Sequence, residues 1–299
     1  MKKLFYLICL VVAQQAAGAA CCNSSAATPN IISNDSLAQI SLSTSSAKVI
    51  GDAPSNGSAI FRKSNDDEWT HTLSLDATRV FADLWQVGAK VPLVYKSRSN
   101  TSSRSSAYGM GDVSGTLTYE FLPEYLYSAY KPKGYLFLQT TFPTGSNVYE
   151  ARKTYAIDAR GKGFYTFSLG SLLTKSWQRW DLSLTGVASK SLDKTFDAID
   201  GSTIKVKPSY DFLASIGTGY SLTKQKDLRL GLSLSPVYTG ASNVANYKLV
   251  WNSTIELNYF PASTWAFTLS YTDQTLMGPA KNTSLERSSS LSARYYFAR

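Results

Sequence analysis

The sequence predicts an all-β protein, a transmembrane antiparallel up-and-down β-barrel of about 12 strands in which segments of about ten residues alternate in polarity. Three observations carry this prediction. Apolar and polar side chains alternate along most of the chain, as they do in strands with two different faces. The polar face is mainly Ser, Thr, Gly and Asn, whereas a soluble sheet would expose Lys and Glu. Aromatic residues collect at segment ends, where membrane barrels carry their interfacial girdles.

The N-terminus has the pattern of a secretory signal peptide. Two lysines precede an apolar run over residues 4–13, and small residues follow, with cleavage expected after Ala19 or Ala20. The apolar run is shorter than the roughly 20 residues that a membrane-spanning helix needs. The expected division is a signal peptide over 1–20, a short periplasmic N-terminal tail over 21–36, and an outer-membrane barrel over 37–299.

Cysteine content and charge exclude several classes of function. All three cysteines lie in or beside the signal peptide, so the mature domain has no disulfide framework and no thiol chemistry. Lipidation of Cys21 stays open, although Gly18 stands where the attachment motif usually has leucine. The net charge is +9, but the basic residues are scattered rather than clustered, which argues against nucleic acid. No P-loop, dinucleotide fingerprint, zinc spacing or calcium loop occurs, so no cofactor and no metal site is predicted.

The alternation defines twelve segments, and helical periodicity is absent almost everywhere. They are 37–48, 67–78, 83–96, 109–121, 133–143, 162–173, 179–191, 204–220, 227–238, 246–260, 264–276 and 286–298. The first, LAQISLSTSSAK, is the most weakly patterned, and the stretch SAIFRKS at 58–64 competes with it. An even count suits a barrel whose last strand must pair with its first.

Each later segment is predicted from its apolar positions. In chain order these are Trp69, Leu73 and Leu75; Trp85, Val87, Val91 and Tyr95; Val113, Leu117, Tyr119 and Phe121; the stretch GYLFLQTTF; Tyr165, Phe167 and Leu169; Trp180, Leu182 and Leu184; Tyr210, Phe212 and Ile216; Leu228, Leu230, Leu232 and Leu234; Leu249, Trp251, Ile255, Leu257 and Tyr259; Trp265, Phe267, Leu269 and Tyr271; and Leu291, Ala293, Tyr295 and Phe297.

The connections alternate in length and so orient the barrel. Outer-membrane barrels have short periplasmic turns and longer external loops. The short connections lie at 79–82, 175–178, 224–227 and 261–263, and the long ones at 49–66, 97–108, 144–161, 191–203, 239–245 and 277–285. The connection at 122–133 is long where a short one is expected. The predicted location is the outer membrane of a Gram-negative bacterium.

Charged residues on the polar face are the candidate pore-lining positions. They are Asp76, Lys90, Asp112, Glu120, Asp181, Asp211, Arg229, Lys248, Glu256 and Arg294, with Glu68 and Glu286 on the same face. Because a lone buried charge is costly, one interpretation is structural pairing across the lumen. The other is a selectivity ring for a permeating solute. Both stay open at this point.

Catalysis is not expected. Outer-membrane phospholipases and lipid deacylases place a serine two residues after a histidine, but His71 is followed by Thr72 and Leu73. A Ser–His mechanism needs the base within hydrogen-bond reach of the nucleophile. His71 is expected on the lipid or outer-interface face, and a residue on a neighbouring strand, for example on segment 37–48, is the alternative source of such a partner. The protein is therefore predicted not to be an enzyme.

Basic residues near the predicted external rim indicate a lipid partner. They are Lys96, Arg98, Arg104, Arg152, Lys153, Arg160 and Lys162. Cations at this level can meet the phosphates of lipopolysaccharide. The expected partners are outer-membrane lipids and lipopolysaccharide, the barrel-assembly machinery, and an unidentified small solute.

Two neighbouring stretches carry a family resemblance. YGMGDVSGTLTYEFLPE at 108–124 and GYLFLQTTFPTGSN at 134–147, with the apolar-Pro pair in AKVPLVYKSRS at 89–99, resemble the family named for a MetA pathway of phenol degradation, within the FadL-like outer-membrane transport barrels. The similarity covers about residues 67–173. It implies a barrel that moves small, often hydrophobic molecules. The chain departs from FadL in having no evident N-terminal hatch within 21–36, and Ala298 and Arg299 follow the terminal aromatic Phe297.

The sequence therefore predicts a porin-like channel or transporter for passive passage of small solutes, hydrophobic ones included. The alternative is a non-enzymatic structural or adhesive surface barrel with a plugged lumen. Eight strands give a filled interior and sixteen to eighteen an aqueous channel, so about 12 strands is compatible with either. The small Ser, Thr and Gly lining favours transport.

Overall fold

The computed structural model describes residues 29–63, 65–125, 127–197 and 203–298. The predicted signal peptide, the cleavage site and Cys21 lie outside these ranges. Within them, twelve antiparallel strands form a closed barrel, each pairing with the next and the last with the first. The predicted fold class is confirmed. No helix among these residues is long and apolar enough to cross a membrane, a finding that says nothing of a β-barrel.

The barrel strands keep chain order, with three short strands outside the main ladder and one short strand that extends a barrel strand. The elements are β1 (Ser36–Ala53), β2 (Ile60–Phe61), β3 (Asp67–Phe81), β4 (Trp85–Ser99), β5 (Arg104–Met110), β6 (Val113–Leu122), β7 (Lys133–Phe142), β8 (Thr166–Ser176), β9 (Trp180–Ser191), β10 (Lys194–Asp197), β11 (Thr203–Val206), β12 (Tyr210–Ser221), β13 (Leu228–Thr239), β14 (Lys248–Ala262), β15 (Trp265–Asp273) and β16 (Thr283–Ala298).

The two faces of the wall differ as the alternation predicts. Leu75 on β3 and Leu232 on β13 point outward and are exposed, whereas Ser74 and Arg229 point inward and are buried. The outer surface is therefore an apolar band. Near the short turns it ends in aromatic pairs across neighbouring strands: Trp85–Tyr119, Trp180–Tyr220 and Trp265–Tyr295, with ring centroids 4.7, 4.7 and 5.1 Å apart. Tyr and Trp rings suit an interface because one end is apolar and the other is wet.

One predicted strand and one predicted loop have the wrong extent. The segment 204–220 is not one strand, because residues 203–206 pair with 194–197 in the separate hairpin β10–β11 and β12 begins only at Tyr210. The predicted long loop at 97–108 is mostly strand, since β4 and β5 run on to a tight turn at 100–103. In that turn the side chain of Asn100 accepts the backbone N–H groups of Ser102 and Ser103.

A β-bulge separates β5 from β6. Met110 lies opposite Leu93 and Ser114 opposite Lys90, so residues 111–113 face only two residues of β4. An extra residue of this kind shifts the alternation of inward and outward side chains by one position and redirects the side chains beside it. Here it turns the side chain of Asp112 toward an external loop.

The unexpectedly long connection between β6 and β7 covers a buried cation. Lys175 near the end of β8 forms an ion pair with Glu124 (2.5 Å) and lies 4.8 Å from the ring centroid of Tyr127. Trp177 donates to the carbonyl of Ala129 at 3.0 Å and holds the same connection against the barrel. A short turn could not reach this lysine, and its ammonium would then lie at the membrane interface without a partner.

On the opposite side, the long loops pack together. Tyr149 and Phe164 from the loop after β7 enclose Phe196 of β10, with centroid distances of 4.7 and 5.2 Å to Phe196. Val206 of β11 completes this small core. This end of the barrel, which the loop lengths predict to be the external one, therefore carries an ordered cap.

Candidate functional site in the barrel lumen

The segment that precedes β1 turns into the barrel. The amide of Gln86 clamps the backbone of Ile32, accepting from its N–H and donating to its carbonyl, both at 2.8 Å. The hydroxyl of Thr78 donates to the carbonyl of Asn30 at 3.0 Å. Lys133 donates to the carbonyl of Ser33 at 3.1 Å. Residues 29–35 thus form a lumenal segment, although the sequence showed no counterpart of a hatch within 21–36.

An apolar patch on the inner wall receives this segment. Ile31 packs against a set of buried inward residues from four strands, which are Tyr135, Phe137, Leu172, Val187 and Leu213. The alternation of polar and apolar residues does not predict this patch, because the lumenal face was expected to carry only small, hydrophilic side chains. Two consecutive isoleucines in an otherwise polar tail were the available signal.

The lumenal segment divides the interior into two cavities. The external cavity has a volume of about 650 Å³ and the periplasmic one about 620 Å³. Asn30 lines the first, and Ser33 and Asp35 line the second. Both volumes lie within the range of roughly 300–1,000 Å³ that is usual for small-molecule sites.

A buried charge network occupies the wall between the two cavities. Arg229 binds Asp181 through two hydrogen bonds of 2.6 Å and Glu256 through a third of 2.6 Å. Asn258 donates to Glu256 and accepts from Thr268. Arg229 and Asp181 line the periplasmic cavity, whereas Glu256 lines the external one. These three predicted inward charges are brought together, and the pairing interpretation holds for them.

Two glycines make room for this network. Gly219 of β12 and Gly231 of β13 face each other in register. A Cβ at Gly231 would lie 2.6 Å from Cγ of Glu256, and one at Gly219 would collide with the guanidinium of Arg229. The pair therefore allows the long side chains to lie flat against the wall.

Asp112 and Asp211 fix external loops. Asp112 accepts the backbone N–H groups of Gly145 (3.0 Å) and Lys162 (2.7 Å) from the loop after β7. Asp211 forms an ion pair of 3.0 Å with the side chain of Lys162. Both carboxylates border the external cavity, and each is engaged by this loop.

The other predicted positions divide between the external cavity and the strand ends. Asp76, Lys90 and Arg294 line the external cavity, and Arg294 donates to the hydroxyl of Tyr296 and to the side chain of Asn30. Glu120 is half-buried near the end of β6. Lys248 is exposed where β14 begins.

Several rim cations proposed to meet lipopolysaccharide already have partners within the protein. Arg98 pairs with Asp66 and Glu68. Lys96 donates to the carbonyl of Ala159, and Arg160 donates to that of Tyr108. These contacts hold the cap to the barrel.

His71 lies on the outer surface, as the alternation predicts. Its ring stacks with Trp69 at 5.8 Å and Tyr95 at 5.9 Å. Ser46 of β1 is its cross-strand neighbour, but no hydrogen bond joins the two among the contacts of the described residues. Groups of three or more metal-ligating residues are likewise absent from the described ranges.

No protein-family description and no curated protein sequence matches this chain. Solved structures do match it. An outer-membrane channel from Pseudomonas putida aligns with a TM-score of 0.71 at 15% identity over 90% of this chain and 100% of that one. The transport unit of the autotransporter AIDA-I from Escherichia coli gives 0.51 at 10% identity over 90% and 93%, and the NanC porin gives 0.50 at 7% over 86% and 98%. At such identities the likeness concerns the fold, which is that of outer-membrane β-barrels.

Proposed function

We propose that this protein is an outer-membrane channel for the passive passage of small solutes. The observation that carries the proposal is the pair of cavities along the lumen, separated by a thin partition. That partition consists of the lumenal segment 29–35 and the Arg229 network, and no sheet or helix of the described chain crosses the barrel there. An interior packed for structure alone would leave less space.

The outer-membrane location is supported by the fold and by the apolar outer band with its aromatic girdle. We place the candidate residues on the solute path as follows: Asp76, Lys90, Asp112, Asp211, Glu256 and Arg294 border the external cavity, and Asp181 and Arg229 border the periplasmic one. Glu120 and Lys248 lie near the strand ends and are assigned to the entrances. We also propose that the chain belongs to the MetA-pathway family, and the motifs at 89–99, 108–124 and 134–147 support this proposal.

The lumenal segment is the obstacle that a solute must pass. Its described anchors to the wall are hydrogen bonds from Gln86, Thr78, Lys133 and Arg294 and the packing of Ile31. A net contribution of about 1 kcal/mol for each hydrogen bond makes local release feasible without unfolding the barrel.

Conductance across planar bilayers tests the proposal. The comparison is between the wild-type barrel and a variant in which residues 29–35 are replaced by a Gly/Ser linker of equal length. We expect intermittent conductance from the wild type and a larger, steadier conductance from the variant. If both are electrically silent and neither admits solutes in liposome swelling, the plugged structural or adhesive barrel is the better assignment.

A further inference from the structure

We propose that the external cavity contains a binding site for a small zwitterionic solute, centred on Asp76 and Lys90. The solute class is one that carries an ammonium and a carboxylate a few bonds apart, together with an apolar group. This assignment rests on the proposed channel function for its biological meaning, but the site can be tested without conduction.

The first observation is a pair of opposite charges that face each other without a direct ion pair or hydrogen bond between them. Asp76 on β3 is only 7% exposed, and it lies directly opposite Lys90 of β4 in register. Neither side chain takes part in the ion pairs or side-chain hydrogen bonds found among the described residues. Other lumenal carboxylates differ, since Asp181 and Glu256 bind Arg229 and Asp211 binds Lys162.

The second observation is the polar surround of this pair. Gln139 of β7 is 5% exposed, and its Oε1 atom has no hydrogen-bond partner within the described chain. Gln139, Asp76, Lys90 and Ser114 line both the external cavity and a smaller recess beside it. Arg294 lines the same external cavity. A carboxylate, an amide oxygen and two cations therefore face one space.

The chemistry of this cluster selects among ligands. A buried charge without a direct hydrogen-bonding partner is costly, so a ligand that supplies such contacts gains free energy. A simple anion would pair with Lys90 and Arg294 but leave Asp76 unpaired, and a simple cation would do the reverse. A zwitterion satisfies both signs at once.

The remaining walls fit the rest of such a molecule. Ser41, Ser43 and Ser74 offer hydroxyl groups, whereas Leu213 and Val237 give the same cavity an apolar side. An amino-acid-like solute could place its charged groups at Asp76 and Lys90 and its side chain toward the apolar side. The volume of about 650 Å³ accommodates a molecule of this size.

Calorimetric titration of the full barrel in detergent with three probes of similar size tests the site. Phenylalanine is the zwitterion, phenylacetate the anion and 2-phenylethylamine the cation. We expect phenylalanine to bind at least roughly tenfold more tightly than either other probe, because it makes one more charge-assisted contact. Asp76→Asn should weaken the binding of phenylalanine and of 2-phenylethylamine but not that of phenylacetate. Lys90→Gln should weaken the binding of phenylalanine and of phenylacetate. Asp273→Asn is the matched control and should change none of the three, because this carboxylate already pairs with Arg287 at 2.7 Å and does not line the cavity.

Equal binding of the three probes, or no binding at all, would overturn the proposal. So would an Asp76→Asn variant that behaves like Asp273→Asn, since the recess would then hold only water. Heat-modifiable electrophoretic mobility identifies variants that fail to fold, and Lys90→Gln keeps the test decisive if Asp76→Asn is lost. Binding of phenylalanine by an electrically silent barrel would reject the channel and retain the site. Conduction without any preference would do the opposite.

Discussion

Replacing Arg229 by methionine tests whether the charge network in the lumen stabilises the barrel. The guanidinium and the two carboxylates it binds are all buried, with side-chain exposures of 6%, 11% and 10%. Removal of one partner from a buried ion pair typically costs 3–5 kcal/mol, because the opposite charge stays buried without compensation. Arg229→Met leaves two such carboxylates, so we expect a loss of about 3–5 kcal/mol in the free energy of unfolding.

The chain offers a matched control at the rim. Lys162 and Asp211 form an ion pair of 3.0 Å, but their side chains are 63% and 22% exposed. Exposed pairs contribute about 0–1 kcal/mol, so Lys162→Met should change stability little. Both variants are compared by urea-induced unfolding in lipid vesicles, followed by tryptophan fluorescence.

A third variant separates lost pairing from lost packing. Replacing Arg229, Asp181 and Glu256 together by methionine or leucine removes the uncompensated charge, and it should recover most of the loss seen for Arg229→Met. If Arg229→Met costs no more than Lys162→Met, water in the two cavities must already solvate these carboxylates, and the argument from burial is refuted.

Three further predictions concern the lumen and the loops. Gln86→Ala removes the clamp on the lumenal segment and should increase the open time in planar bilayers; unchanged gating would show that the segment does not obstruct the path. Gly231→Ala should lower the midpoint of urea unfolding, because the new Cβ atom overpacks the network at a cost of about 1–3 kcal/mol. Gly186→Ala is its control: a Cβ atom there has no neighbour within 4 Å, so this substitution should be neutral or stabilising. Burial alone would raise the pKa of Glu124, but the hydrogen bond and charge of Lys175 outweigh it and hold that pKa below its ordinary value. The ion pair therefore anchors the connection between β6 and β7 fully at pH values above the ordinary carboxyl pKa, and the anchor is lost as the pH falls through the lowered pKa of Glu124. Sensitivity of this connection to protease measures the release, and Glu124→Gln should abolish its dependence on pH.

Local sequence determined the wall of the barrel. A strand that separates lipid from lumen must alternate between apolar and polar side chains. Positions such as Leu232 and Arg229 were therefore assigned to the correct faces from this alternation alone. The same rule failed where alternation continued outside the barrel. Residues 203–206 alternate like a barrel strand, but they pair with 194–197 in the cap.

The contents of the lumen depend on distances that the sequence does not encode locally. The alternation of side chains along each strand placed Asp181, Arg229 and Glu256 inward, but only the register of β9, β13 and β14 brings them into contact. Asp112 was assigned to the lumen wall, whereas the bulge beside it directs its carboxylate to a loop. The role of residues 29–35 follows from the hydrogen bonds between the Gln86 side chain and the backbone of Ile32, which no periodicity reveals.

The seam between β1 and β16 constrains the order in which this molecule can be made. Residues 36–53 of β1 pair along nearly their whole length with 283–298 of β16, so the ladder is completed only when the last strand arrives. Until then, two rows of backbone groups face hydrocarbon, at several kcal/mol for each one left unpaired. The lumenal segment is joined directly to β1, at the edge of this open seam. Its anchors lie on β3, β4, β7 and β16, so docking of the partition is complete only once the last strand has joined the first.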